Sequence, residues 1–413
     1  MSPRALDLDA DTSTVPVLEK PQQEHIPLFC DAQGFERAAT LLRRGHGPLA
    51  VDTERASGFR YDDRAFLIQL HRQDSGIILI DPEGHREEFR RILSPVLSTI
   101  PWIIHAAHTD LPCLAWLGCY PPELIDTELG GRLAGIDRVN LSHMCALLLG
   151  HSLAKGHGAE DWSQRPLPEE WLRYAALDVA LLLDLADAVT VLLESQGRWE
   201  CARQEFEYVR RTHAGITAPE PSSWRDLKGV DSLKSPRQLA VAKALWTARE
   251  KEARRRDIAH GRVLSSKALL EIARNCPHTL EEMRHVKGVR RRAAVWLDVT
   301  NRALSKPSRS YPRPAQRDHE GAPSVKTWKR FFPESYAPFA KLKSEMGRQA
   351  ASQGFPADNV LSPALLRDLG WEIYHNKQIS TPFGACAFLR EHGARPWQVN
   401  FAAPVLARVL GSS

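Results

Sequence analysis

Short apolar runs and longer amphipathic segments follow one another through the first half of the chain. The apolar runs are bounded by polar or turn residues, as is typical of buried strands, and lie at 49–52, 66–70, 77–80 and 102–104. Apolar positions at helical spacing occupy 87–97, 109–117, 141–149 and 169–196. Strands followed by alternating helices predict an α/β domain in which a mixed sheet is flanked by helices.

The second half of the chain shows helical periodicity alone. Between 225 and 305 apolar residues recur at steps of three or four, which predicts a small all-α bundle. A stretch rich in Pro, Ser and Arg, 306–325, is predicted to be a linker. Beyond it, the tetrapeptide that ends at Ser362 aligns with the one that ends at Ser265, and each Ser is placed to cap an apolar helix. We therefore predict a second, similar helical domain over 326–413, although so short a match also arises by chance.

Length and composition narrow the class of protein. A chain of 413 residues can form two or three domains, and we assign a polar, poorly ordered lead-in to 1–24 and the α/β domain to 25–218. The seven cysteines are scattered and form no Cys-x-x-Cys pair, which argues against a disulfide framework and a thiolate zinc site. No secretory signal and no apolar run of membrane-spanning length is apparent. We expect a cytoplasmic monomer with no membrane partner.

Charge is distributed unevenly along the chain. Residues 1–224 contain 21 Lys and Arg against 33 Asp and Glu, residues 225–330 contain 26 against 11, and the remainder contains 8 against 6. An acidic domain beside a basic one suits a protein that gathers divalent cations in one place and a polyanion in another. Solvated surfaces alone also produce such an asymmetry, so charge by itself does not decide.

Two carboxylates end the first predicted strand. Asp52 and Glu54 are two residues apart, so on a strand their side chains point to the same face. Adjacent like charges near a core repel and lose solvation unless a cation or a hydrogen-bond network neutralises them. The alternative is a strand end that frays into solvent.

Three further residues extend this acidic set. Asp110 starts a predicted helix after the fourth strand, where it could also simply favour the helix dipole. Tyr174 and Asp178 are four residues apart on an apolar helix and therefore share one face of it. A carboxylate and a phenol on an otherwise buried helix need a polar partner.

Carboxylates brought together from distant segments are the ligands that Mg²⁺ and Mn²⁺ prefer, and two such ions can hold both reacting oxygens of a phosphodiester. Our hypothesis is that Asp52 bridges two divalent metal ions. Glu54 and Asp178 complete the site that generates hydroxide, and Asp110 supports the second ion, partly through water. Tyr174 orients the attacking water or helps to deprotonate it.

These motifs, Asp52-Thr53-Glu54, the segment around Asp110 and Tyr174-x-x-x-Asp178, resemble the three exonuclease motifs of the Tyr-containing subclass of the DEDD superfamily. Further stretches resemble the ribonuclease D family: 105–114, 126–128, 153–157, 161–163 and 165–167. The resemblance covers most of 50–185, and residues 55–58 depart from it without touching the acidic positions. It implies a ribonuclease H-like fold and a two-metal 3′-to-5′ exoribonuclease that releases nucleoside 5′-monophosphates from structured RNAs, tRNA precursors among them.

The basic region resembles the HRDC domain, the helical domain that RecQ-type helicases share with ribonuclease D, which implies auxiliary nucleic-acid binding. The candidate phosphate contacts are Arg254, Arg255, Arg256, Lys287, Gly288, Arg290, Arg291 and Arg292. The segment 287–289 opens a helix whose free N–H groups can accept a phosphate. A turn glycine beside a solvated face is the alternative.

Two pairs of polar residues near the acidic set have less specific explanations. His105 and His108 precede Asp110, but the acidic residues already suffice for an oxygen-loving cation, so we favour a packed strand end for His105. Asp126 and Glu128 follow an apolar pair and either support the site or cap a helix.

Two other functions stay open on the residues alone. The acidic motifs do not read a 2′-hydroxyl, so a 3′-to-5′ DNA exonuclease that acts on single-stranded DNA is the competing enzyme. A catalytically inactive nucleic-acid-binding scaffold is the third possibility, and the complete acidic set argues against it.

Overall fold

The structure is a computed structural model that describes residues 8, 11–213, 215–216, 218–219, 222–314 and 321–411. Its α/β part contains eight strands, several of them very short. They are β1 (Val17–Leu18), β2 (Leu28–Phe29), β3 (His46–Arg55), β4 (Ala65–Gln73), β5 (Gly76–Ile80), β6 (Trp102–Ile104), β7 (Leu124–Asp126) and β8 (Ser152–Leu153).

Six of these strands form one mixed sheet in the order β2-β5-β4-β3-β6-β7. The neighbours β3 and β4 run antiparallel, as do β4 and β5, whereas β2–β5, β3–β6 and β6–β7 are parallel. The central strand β3 is therefore covered on both edges, and Asp52 and Glu54 lie on it.

Helices cover both faces of this sheet. They are α1 (Ala32–Arg44), α2 (Arg86–Ile92), α3 (Ser94–Leu97), α4 (Leu111–Ala115), α5 (Thr127–Ala134), α6 (Leu141–Leu149), α7 (Glu169–Ala180), α8 (Leu182–Ser195) and α9 (Trp199–Thr212). One apolar core joins Val51 and Ile68 to α1–α4, and the other joins Ala50 and Leu67 to α7 and α8. The predicted mixed sheet flanked by helices is confirmed.

The four predicted strands are confirmed within β3, β4, β5 and β6, but two long predicted helices are each divided. The segment 87–97 forms two helices, α2 and α3. Pro95 lies in the first turn of α3, where a residue without an N–H costs no helical hydrogen bond. The segment 169–196 becomes α7 and α8, separated at Leu181, whose backbone leaves the helical conformation. Apolar periodicity continues across such breaks and therefore conceals them.

The expectation of a poorly ordered lead-in as far as Glu24 is wrong for residues 11–24; residues 1–7, 9 and 10 lie outside the described residues. Strand β1 pairs in parallel with β8. The amide of Gln23 donates to the Ile77 carbonyl at 3.0 Å and accepts from the Ile77 N–H at 2.7 Å. A side chain thus completes the hydrogen bonds of β5 beyond the residues that pair with β2, which composition alone does not reveal.

Two groups of helices follow. The first, within the predicted domain 225–305, is α10 (Pro236–Arg256), α11 (His260–Val263), α12 (Ser266–Asn275), α13 (Leu280–His285) and α14 (Ala293–Leu304), packed around its own apolar core. The second is α15 (Val325–Phe331), α16 (Pro333–Ser352), α17 (Ala357–Val360), α18 (Pro363–Tyr374), α19 (Pro382–Glu391) and α20 (Pro396–Leu410). In both groups a four-residue helix precedes a Ser-capped helix, because Ser265 accepts from Ala268 N and Ser362 from Leu365 N.

The first helical group is attached to the loop that follows β3. Arg64 in this loop makes a bidentate pair with Asp257, the residue that follows α10, at 3.0 and 2.7 Å. The Ala259 N–H donates to the Phe59 carbonyl at 3.0 Å, and Tyr61 hydrogen-bonds Glu250. This loop is therefore shared between β3 and the basic helices.

The second helical group contacts α9. The buried Glu205 carboxylate accepts from Arg395 Nε at 2.6 Å and from Trp397 Nε1 at 2.7 Å. This contact is specific, because removing Arg395 would leave the buried Glu205 carboxylate without its charged partner. Among the described residues, none of the helices has both the length and the apolar character needed to cross a membrane.

We predict that Gln23→Ala lowers the free energy of unfolding by about 1–2 kcal/mol, because it removes two hydrogen bonds from the edge of β5. Urea denaturation followed by circular dichroism measures this change. The matched control is Gln22→Ala, at an exposed neighbouring residue. Equal stability of the two variants would mean that the segment does not hold the sheet edge.

Candidate active site

Three of the predicted carboxylates meet at the end of the central strand. Asp52 and Glu54 project from β3, and Asp178 projects from α7, which packs across β3, β4 and β5. One ligand oxygen from each lies within 4.8 Å of the others. The i, i+2 spacing on β3 and the helix above it thus bring together residues that are more than 120 positions apart in sequence.

The three carboxylates carry raised pKa values. Burial raises the pKa of Glu54 to about 9, and the charges of Asp178 and Asp110 add to this. Burial also raises the pKa of Asp178 to about 7, although its hydrogen bond with Tyr174 acts in the opposite direction. Burial and the charges of Asp110, Asp178 and Glu54 raise the pKa of Asp52 well above its ordinary value. Without a cation the cluster therefore keeps protons at neutral pH.

Asp110 lies beside this group, and its carboxylate accepts hydrogen bonds from two hydroxyl groups. Its Oδ1 accepts from Thr53 Oγ1 at 2.5 Å, and its Oδ2 accepts from Thr109 Oγ1 at 2.7 Å. Arg55 donates to the Thr109 carbonyl and lies 3.9 Å from Asp110 Oδ1. Burial raises the pKa of Asp110, and Arg55 and the two hydroxyls oppose that shift. Asp110 is thus the best-satisfied member of the set.

A second buried carboxylate holds the turn that carries Asp110. Asp126 accepts from the backbone N–H groups of Ala106, Ala107 and Leu129. It therefore caps α5 and also anchors the turn at Ala106, whose φ of 62° is unfavourable for a residue with a side chain. Both explanations suggested by the sequence apply to Asp126.

His105 does not face the carboxylates. Its Nδ1 lies 2.9 Å from Thr127 Oγ1, and burial lowers its pKa to about 4. His108 is exposed on the short helical turn 107–109. Neither histidine is in the group of side chains whose possible ligand atoms lie within 4.8 Å of one another.

Tyr174 is held against a glycine-containing loop. A Cβ at Gly156 would lie 3.3 Å from Tyr174 Cδ2, and one at Gly158 would lie 3.5 Å from the phenol oxygen. The ring of His157 contacts Tyr174 edge-on at 5.8 Å. Burial, together with the charges of Asp178, Glu54 and Asp52, raises the pKa of Tyr174. The phenol is therefore a hydrogen-bond donor and not a base at neutral pH.

A groove of about 1010 Å³ opens beside Tyr174. Its walls are residues 17–24 and 154–157 together with Arg173 and Tyr174. The N-terminal segment that the sequence analysis assigned to a disordered lead-in is one of these walls. Its contribution was missed because no residue in it carries a catalytic motif.

The residues present fit a divalent cation. Three carboxylates with raised pKa values form a site of oxygen ligands, and the structure places no Lys or Arg partner on Asp52 or Asp178 among the residues it describes. A hard cation at this point would replace the protons that these groups otherwise keep. The fourth carboxylate, Asp110, already has two hydroxyl donors.

The predicted basic residues divide into two groups. Arg254 contacts Glu250 and Tyr61, and Arg255, Arg256 and Arg292 pair with Glu252. By contrast, Lys287, Arg290 and Arg291 are exposed, and none of the three has an ion-pair partner within the described part of the chain. Gly288, with a φ of 85°, precedes the short helical turn 290–292 and α14.

The raised pKa values predict that the metal-free protein loses stability as pH rises from 7 to 9. The folded state binds protons in this range that the unfolded state has released, with a slope of up to about 1.4 kcal/mol per pH unit for each proton. Glu54→Gln should flatten this dependence and raise stability at pH 8. Urea denaturation in EDTA at several pH values measures it.

The control is Glu87→Gln, because Glu87 is exposed and lies outside the site. This change should leave the slope as in the wild type. An excess of Mg²⁺ should also remove the slope, since a bound cation takes the place of the protons. A slope that Glu54→Gln does not alter would contradict the assigned pKa of Glu54.

Three family models match this chain. A 3′-5′ exonuclease model matches residues 30–194, an HRDC domain model matches residues 238–295, and a model described as the 3′ to 5′ exonuclease C-terminal domain matches residues 321–410. The last model is distinct from HRDC, so a second HRDC-like domain stays a prediction.

Curated relatives and solved structures extend the match. Ribonuclease D of Escherichia coli is 30% identical over 279 residues, which cover 67% of this chain and 73% of that protein; its crystal structure has a TM-score of 0.64. A Bifidobacterium adolescentis protein has a TM-score of 0.85 at 30% identity, covering 96% of this chain and 100% of that one.

Ribonuclease D of Gluconacetobacter diazotrophicus is 30% identical over 251 residues, which cover 59% of this chain and only 62% of that relative. The match to the Escherichia coli relative is longer and covers 73% of that protein at 30% identity. The chain belongs to the ribonuclease D family.

Proposed function

We propose that this protein is a 3′-to-5′ exoribonuclease that hydrolyses phosphodiester bonds with the help of two divalent metal ions. The observation that carries the proposal is the group of Asp52, Glu54 and Asp178, with oxygens within 4.8 Å of one another, in a chain of the ribonuclease D family. Packing alone does not favour three carboxylates at one buried point.

Asp52, Glu54 and Asp178 would hold one ion, and Asp52 with Asp110 would support the second. When bound, such ions stabilise the charge that develops on the attacking and leaving oxygens of the phosphodiester. Asp110 is kept in place by the Thr53 and Thr109 hydroxyls. Arg55 supplies a nearby positive charge that limits repulsion between Asp110 and the other carboxylates.

Tyr174 has the orienting role in this proposal. Its raised pKa keeps the phenol protonated, so it donates a hydrogen bond to an oxygen at the reaction centre and does not remove a proton. The Gly156–Gly158 loop and the edge of His157 restrict the ring to one position. The groove beside it offers a path for the 3′ end of the strand.

The basic helices and the relatives support a proposal for the substrate class. The solved Escherichia coli enzyme is described as an exoribonuclease involved in structured RNA processing. We infer that this chain also acts on structured RNAs, tRNA precursors among them. Lys287, Arg290 and Arg291 are exposed and unpaired within the described residues, which suits contacts to phosphates without base recognition.

We expect the wild-type protein with Mg²⁺ or Mn²⁺ to shorten 5′-labelled RNA from its 3′ end and to release nucleoside 5′-monophosphates. EDTA should stop the reaction. Asp52→Asn should lower the rate by more than about 100-fold, because losing a metal ligand costs more than losing a supporting residue. Denaturing gels of RNA and DNA of the same sequence measure the products.

The matched control for this experiment is Asp184→Asn, since Asp184 is an exposed acid in the first turn of α8. Its rate should equal that of the wild type. Faster cleavage of DNA than of RNA would favour a DNA exonuclease. No cleavage with any metal, together with intact RNA binding, would leave a nucleic-acid-binding scaffold.

A second expectation concerns the basic helices. Replacing Arg290 and Arg291 by Ala should weaken RNA binding and lower the salt slope by roughly 1.4, since each phosphate contact to a single strand contributes about 0.7. Fluorescence anisotropy of labelled RNA at several salt concentrations, with Asp52→Asn to prevent cleavage, measures this slope. The comparison is Arg255 and Arg256 replaced by Ala, because both already pair with Glu252. Equal slopes for the two double variants would remove the distinction between free and paired arginines.

A further inference from the structure

Gln69 lies in the middle of β4 and is completely buried. Neither its side-chain nitrogen nor its side-chain oxygen has a hydrogen-bond partner among the described residues. Buried amides are almost always hydrogen-bonded, because an unpaired amide loses its contacts with water and gains nothing in return. Packing alone would favour a Leu or a Met at this position, as at the neighbouring positions of the strand.

The register of the sheet places Gln69 beside the active site. Gln69 pairs with Asp52 on β3 and with Leu79 on β5. Directly paired residues on antiparallel strands share one face, with Cβ atoms roughly 5 Å apart. The amide of a Gln can span that distance to a carboxylate.

The other neighbours on this face offer Gln69 little. Leu67 and Leu79 are apolar, and His71 already has its Nδ1 3.0 Å from the Val179 carbonyl. The face is covered by α7, which provides the Val179 carbonyl that contacts His71 and carries Asp178 and Tyr174. Asp52 lies directly opposite Gln69, Glu54 is the diagonal neighbour, and no side chain of the described residues hydrogen-bonds the Asp52 carboxylate.

We propose that Gln69 is a positioning residue for Asp52. Its amide nitrogen, which has no partner among the described residues, would donate a hydrogen bond to the Asp52 oxygen that is turned away from a bound cation, and would so keep the other oxygen directed at the cation. This inference rests on the proposed metal-dependent function. Ligating carboxylates generally need such a supporting donor, and its loss weakens metal binding 10- to 100-fold.

The test compares Gln69→Met with the wild type in two measurements without RNA. Met matches the length of Gln and makes no amide hydrogen bond. Thermal unfolding in EDTA should show a melting temperature equal to or above that of the wild type, because an unpaired amide has been removed. Titration with Mn²⁺, followed by electron paramagnetic resonance, should show affinity reduced by about 10-fold or more.

Leu79→Met is the matched control, since Leu79 is also buried and lies beside Gln69 on the side away from Asp52. It should bind Mn²⁺ as the wild type does. Raising the Mn²⁺ concentration should restore cleavage of RNA in Gln69→Met but not in Asp52→Asn.

Two outcomes would overturn the assignment. If Gln69→Met binds Mn²⁺ with wild-type affinity, Gln69 does not support the metal ligand. If the variant melts clearly below the wild type in EDTA, Gln69 is a core residue with a structural role. Failure of the wild type itself to bind Mn²⁺ would instead sink the proposed function, so the two failures are distinguishable.

Discussion

Mutual repulsion among buried carboxylates is the constraint on which this structure depends. Asp52, Glu54 and Asp178 are held close together, and Asp110 lies beside them, in an environment that disfavours their charged forms. The α/β domain tolerates this because a central strand, a covering helix and an anchored turn each contribute one part of the group. The strain that remains is relieved by protons or by cations, and that requirement is what makes the site suited to metal-dependent chemistry.

The residues of the candidate site were predictable from the sequence where their spacing is local. Asp52 and Glu54 are two residues apart on a strand, and Tyr174 and Asp178 are four apart on a helix, so each pair identifies its own face. Asp110 has no such partner nearby; its position at the start of a predicted helix also had a helix-dipole explanation, and the resemblance to a known motif favoured the active site. The mixed sheet and the separate helical group were also expected, because apolar periodicity reports them directly.

The supporting contacts were not predictable in the same way. Asp126 anchors a turn about twenty residues earlier, and Gln23 completes a sheet edge 54 residues later. Partners so far apart leave no periodic trace in the sequence. Whether an arginine is free or paired is equally hidden, since Arg255 and Arg291 look alike until their neighbours are known. Composition therefore suggested disorder for an N-terminal segment that in fact hydrogen-bonds β5. It also suggested a uniform basic surface, although about half of the candidate basic residues are paired with glutamates.

The loop between β3 and β4 links two parts of the molecule that the family models treat as separate. It starts at Ala56, directly after Arg55, and within ten residues it supplies Tyr61 and Arg64 to the end of α10. A chimera that exchanged the HRDC region between relatives would lose these contacts unless the loop were transferred with it. Recombination of such modules, natural or engineered, thus has a boundary inside the catalytic domain, and sequence divergence in this loop should follow that of the helix it meets.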